Sequence, residues 1–123
     1  MKKYRLERLN ETIKREISEI VFKEVKDPRI KGLVTFTEVD VSPDLRQAKV
    51  YVSIFGLSEE ESKKVIAGLK SAESFIKYRV SKNLRLKYTP DLIFIKDDTI
   101  ERGSRIVEKL EHLKKEEEKN DTK

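Results

Sequence analysis

Between Lys63 and Lys87 stand eight basic residues (Lys63, Lys64, Lys70, Lys77, Arg79, Lys82, Arg85 and Lys87) and one acid, Glu73, giving the stretch a net charge of +7. The chemistry open to such a run is electrostatic: it attracts and holds a polyanion. Lys63, Lys70 and Lys77 recur every seven residues, and two helical turns return such positions to one line with a drift of about 20° per step. Val65, Leu69, Ala72, Ile76 and Val80 recur at the spacing of one helix face. The stretch therefore predicts helix held on a core by its apolar stripe, with a cationic stripe turned outward. A solvated lysine surface without a partner has the same composition. What favours a partner is where the charge lies. Residues 1–96 carry 21 basic and 14 acidic groups, a net +7, whereas residues 97–123 carry 7 and 9, a net −2. The body of the chain, not its tail, is cationic.

Other chemistry is poorly provided for. There is no cysteine, which excludes disulfides, thiolate metal sites and cysteine nucleophiles. His112, the only histidine, sits among charged residues with no partner in view, and a general base needs both a partner and a pocket. Glu59, Glu60 and Glu61 diverge by about 100° each on a helix and cannot converge on a metal ion; behind Ser58 they read as a capping box. Asp97 and Asp98 read as the cap of a last helix. No phosphate-binding glycine loop, metal-ligand cluster or nucleophile elbow is present. These residues predict a protein that is not an enzyme and uses no metal, cofactor or small-molecule substrate. No apolar run has the length of a membrane span, and Met1-Lys2-Lys3 opens no signal segment, so a cytoplasmic protein is expected.

The elements that must position the basic run follow from periodicity. At 123 residues one domain is expected. Leu6, Leu9, Ile13, Ile17, Ile20, Val21 and Val25 predict a helix over residues 4–26, stopped by Pro28. Residues 33–41 predict a strand whose two halves are one position out of phase, which a bulge near Glu38 reconciles. Ser42-Pro43-Asp44 is a turn. Ala48, Val50, Val52 and Ile54 then alternate with Gln47, Lys49, Tyr51 and Ser53 in a second strand over residues 46–55, so the two strands form an antiparallel hairpin. The helical pattern from Ser58 to about Leu84 is long for a small domain, and a break is expected at Gly68 or in the run Ser71–Ser74. After the turn Tyr88–Asp91, Leu92–Ile95 form a third strand, parallel to the second. The fold class is α+β: helix, two strands, two helices, strand, with a three-stranded mixed sheet whose central strand is the second and whose helices lie on one face. Residues 97–114 predict a C-terminal helix with the thin stripe Ile106, Val107, Leu110 and Leu113, and residues 115–123 a disordered charged tail.

This order of elements resembles a K-homology fold of the second, bacterial type, whose two helices meet at a Gly-x-x-Gly loop that clamps a nucleic-acid backbone. That loop is missing here. Residues 5–110 instead resemble the bacterial ribosome-binding factor A family. The resemblance rests on Arg5-Leu6-Glu7-Arg8, Asp27-Pro28-Arg29-Ile30, the run Val41–Ser53, the run Leu84–Phe94, then Asp97-Asp98-Thr99-Ile100 and Gly103. In that family an Ala-x-Gly kink replaces the loop, and the matching residues are Ala72, Glu73 and Ser74, with serine in place of glycine. The resemblance implies binding to the free 30S small ribosomal subunit and its 16S ribosomal RNA, help in late subunit maturation and 5′-end processing, and growth in the cold, with the cutting left to nucleases. The candidate RNA contacts are Arg5 and Arg8 on the first helix and Lys63, Lys70, Lys77, Lys82, Arg85 and Lys87 in the basic region, on a monomer. Two alternatives stand beside this reading. A general single-stranded nucleic-acid binder needs exposed aromatics, for which Tyr4, Tyr51 and Tyr78 are available. A protein–protein adaptor would use the stripe of the last helix.

Overall fold

Ile13, Ile17, Ile20 and Val21 share a face only if their segment is helical. In the computed structural model, which describes residues 2–97, they line the buried side of α1 (Lys2–Glu24). The helix ends two residues before the expected Lys26. Its last turn has already widened, because the Val25 amide donates back to the Ile20 carbonyl at 3.2 Å. Ahead of Pro28 the Asp27 carboxylate then takes over local bonding. It accepts from the Arg29 amide at 2.9 Å and from the Arg29 guanidinium at 2.6 Å, and the Ile30 amide donates to the Asp27 carbonyl at 2.9 Å.

β1 (Leu33–Val41) pairs antiparallel with β2 (Gln47–Phe55), and β2 pairs parallel with β3 (Asp91–Lys96), so β2 is central as its apolar alternation requires. The β1–β2 register slips between Phe36 and Glu38. This is the expected bulge, and it lets Phe36 before it and Val39 and Val41 after it reach the same core. Pro43 occupies the first central position of the hairpin turn, and the Leu45 amide donates to the Ser42 carbonyl at 2.8 Å. One position departs from the alternation. Ser53, expected among the outward residues, is only 6% exposed. Near it the Thr37 hydroxyl donates to the Asp97 carboxylate, joining β1 to the residue after β3 across the central strand. Asp97 thus serves the sheet.

α2 (Glu59–Ser71) and α3 (Glu73–Leu84) complete the layer of helices over the sheet. Val65 and Leu69 of α2 and Ile76 and Val80 of α3 join α1, Ala48, Val50, Val52, Leu92 and Phe94 in one buried cluster. Within it the Phe36 and Phe94 rings meet at 6.5 Å between centroids, tilted by 58°. Each fully buried Ile or Leu here contributes about 1.5–3 kcal/mol. The expected C-terminal helix and charged tail fall, beyond Asp97, outside the described residues.

Candidate nucleic-acid interface

α2 begins as its first four residues dictate. The Ser58 hydroxyl accepts from the Glu61 amide at 3.1 Å, and the Glu61 carboxylate accepts from the Ser58 amide at 3.2 Å. Lys31 adds an ion pair to Glu61 at 2.8 Å, and together these hold the Glu61 carboxyl at about 2, well below the usual range. With Val65 and Leu69 turned inward, Lys63, Lys64 and Lys70 are left exposed along α2. None of the three has an ion-pair partner among the described residues.

The helical pattern breaks at Ala72. Gly68 is not the breaking point. It lies inside α2, where an added Cβ would stand 3.0 Å from the Ile30 side chain, so its missing side chain lets α2 approach the α1–β1 connection. Ala72 takes φ −92° and ψ 2°, which needs no glycine, and its amide is shared between the Gly68 and Leu69 carbonyls at 3.1 Å each. Ser74 does not cap α3; the start of α3 has no side-chain cap, and the Ile76 amide simply donates to the Ala72 carbonyl at 2.9 Å.

The break changes what the later cations face. Lys77, third on the seven-residue line, donates to the Asp91 carboxylate at 2.6 Å, and that bond raises the lysine's pKa. Arg79 forks onto Glu24 of α1, with contacts of 3.1 and 3.2 Å, and Asn83 donates to Glu16 at 2.8 Å, so this side of α3 holds it against α1. Lys82 and Lys87 remain exposed, each with its ammonium 5.4 Å from a tyrosine ring centroid, Tyr78 and Tyr88 respectively. Arg85 closes α3 in the left-handed region, with φ 54°, and is exposed. Arg5 and Arg8 are exposed on α1, two turns or less from Asn10, whose side chain accepts from the Val41 amide at 2.9 Å.

The structure thus gathers Lys77, Lys82 and Lys87 around one feature, a groove of about 630 Å³ between α3 and the connection into β3. Lys63 and Lys70 on α2, and Arg5 and Arg8 on α1, do not line that groove. Sequence reasoning placed Tyr88 in the turn before β3 and gave it no binding role; it stands 72% exposed at the groove's edge. The signal was available in Thr89-Pro90, which turns the chain directly after it. A second hollow of about 650 Å³ lies between α1 and β1, lined mainly by apolar residues such as Val21, Phe22, Val25 and Leu33, with Glu19 and Lys23 beside them; none of the candidate RNA contacts lines it. Among the described residues no cluster of His, Asp or Glu could hold a metal ion, and no helix is long and apolar enough to cross a membrane.

Comparison with known proteins agrees with this architecture. A ribosome-binding factor A from Caldanaerobacter subterraneus subsp. tengcongensis is 48% identical over 114 residues, covering 93% of each chain. A Thermotoga maritima protein solved by solution NMR superposes with a TM-score of 0.69 at 38% identity, covering 77% of this chain and 89% of that one. A Thermus thermophilus ribosome binding factor A, fitted as a homology model into the cryo-EM map of a 30S–RbfA complex, gives a TM-score of 0.56 at 27% identity over 68% of this chain and 86% of that one. The sequence profile of the ribosome-binding factor A family matches residues 5–110, and with this fold and these relatives the chain belongs to that family.

Proposed function

We propose that this protein binds the free 30S small ribosomal subunit through its 16S ribosomal RNA and assists late maturation of that subunit, including 5′-end processing. It cuts nothing itself, and the cutting is left to nucleases. It acts as a monomer in the cytoplasm and supports ribosome assembly in the cold. The observation that carries this reading is the set of exposed cations Lys63, Lys64, Lys70 and Arg85, none with an ion-pair partner among the described residues, on a chain whose Thermus thermophilus relative has been fitted into a 30S complex. Lysines contact phosphates as point charges without arginine's bidentate fork. Such contacts orient the protein but read no bases, so recognition rests on the shape of the subunit.

Sucrose-gradient co-sedimentation with free small subunits and with intact ribosomes tests the proposal. The wild type is expected with free small subunits. The triple variant Lys63→Glu, Lys70→Glu, Arg85→Glu is expected to leave them while keeping its fold. Lys77 is spared, because a glutamate there would face Asp91 and confound binding with stability. A folded triple variant that sediments with small subunits as the wild type does would move the RNA surface to Arg5 and Arg8 on α1.

A further inference from the structure

The groove between α3 and the connection into β3 has a composition that phosphate binding does not call for. Its lining combines two exposed tyrosines, Tyr78 (56% exposed) and Tyr88 (72%), with the hydroxyl side chains of Ser74, Ser81 and Thr89. Aromatic rings at such exposure lose the hydrophobic contacts that would explain them in a core. The acids at its rim are already engaged: Asp91 is bonded to Lys77, and Glu73 accepts from the Leu92 amide at 3.0 Å. The cations nearest the rings, Lys82 and Lys87, each rest 5.4 Å from a ring centroid and have no carboxylate partner among the described residues. The Thr89 hydroxyl is shielded from solvent and has no hydrogen-bond partner among the described residues.

We infer that this groove is a stacking site for an unpaired RNA base, a reading that rests on the RNA-binding role proposed above. A base laid on the Tyr78 or Tyr88 ring uses a π face that every nucleobase has. Its own phosphate is then within reach of Lys82 or Lys87, which need only swing from the ring to the anion. The Ser74 and Ser81 hydroxyls donate or accept as the base edge requires, so the site tolerates any base and selects for single-stranded RNA. A duplex, whose bases are stacked on one another, cannot enter it.

The test uses the full chain and a short single-stranded oligoribonucleotide carrying 2-aminopurine, with the matching duplex as control. Wild-type protein is expected to quench the single-stranded probe and to prefer it to the duplex. Tyr78→Leu and Tyr88→Leu should abolish the quench at their ring and weaken single-strand binding roughly five- to a hundredfold per lost stack, with the salt dependence unchanged. Tyr88→Phe, which keeps the ring, should bind as the wild type does. Single-strand affinity unaltered in both leucine variants, or no preference over duplex, would overturn the inference. Failure here is separable from failure of the RNA role. If charge reversal still releases the small subunit while the leucine variants change nothing, only the stacking site is lost; if wild type binds neither RNA nor subunit, both readings fall.

Discussion

Single residues in this protein carry consequences that their types alone make measurable. Gly32 sits at φ 77°, where a side chain is strained, and an added Cβ would stand 2.9 Å from the Leu57 side chain and 3.0 Å from the Phe55 carbonyl. Gly32→Ala is therefore expected to destabilise the fold by about 1–3 kcal/mol, read from the midpoint of a urea melt. Glu61 offers a second test, through pH. Lys31 and the Ser58 groups hold its carboxyl at about 2, against an ordinary 4.5. A folded-state pKa below the unfolded one stabilises the fold above the unfolded value, and that contribution is lost as pH falls toward the folded value. Wild type should accordingly be more stable than Glu61→Gln at neutral pH. The gap between their unfolding midpoints should close as pH falls from about 4.5 to about 2. A gap that stayed constant over that range would show that the carboxylate's charge is not what the cap uses.

At the level of elements, the junction of α2 and α3 is decided by backbone geometry. Ala72 holds the break in an ordinary region of φ and ψ, and Ser74 lies beyond it in the first turn of α3 without capping anything. Restoring the family's glycine by Ser74→Gly should leave the break where it is and lower stability by about 0.5 kcal/mol, the difference in helix propensity. Amide hydrogen exchange of residues 70–78 checks both parts; a break that moved or deepened would mean that Ser74 shapes it. The shift of helical phase at Ala72 also explains why Lys77 leaves the line of Lys63 and Lys70 and meets Asp91 on β3. That exposed pair is worth under about 1 kcal/mol, so its effect is on which cations remain available and hardly on stability.

Across the whole molecule, the exposed cations without an ion-pair partner among the described residues act together as a field. If about four to six phosphates are engaged, the affinity for small subunits should fall with salt along a log–log slope of roughly −3 to −5. Charge reversal at Lys63, Lys70 and Arg85 should flatten that slope by roughly 2 to 3, whereas Arg79 variants should loosen α3 from Glu24 of α1 and change stability more than slope. Binding measured over a salt series separates the two, and an unchanged slope in the reversal variant would place the phosphate contacts elsewhere.

Much of the fold was legible wherever neighbouring residues alone encode it. The Ser58–Glu61 capping box, the two phases of β1 that require a bulge, the alternation that makes β2 central, and the stop before Pro28 each depend on a few adjacent positions and on the fixed periods of helix and strand. The family motifs were legible for the same reason, being short runs in a fixed order. Which charges were free could not be read this way. Lys77 is neutralised from 14 residues away and Arg79 from 55, and Asp97, which looked like a helix cap, is bonded to Thr37 from 60. Counting charges along the chain gives their sum; only folding decides which find a partner. The exposure of Tyr88 beside the α3 groove belongs to the same class, because it depends on the path of the connection into β3 past α3, and no local pattern specifies how far apart two segments will lie.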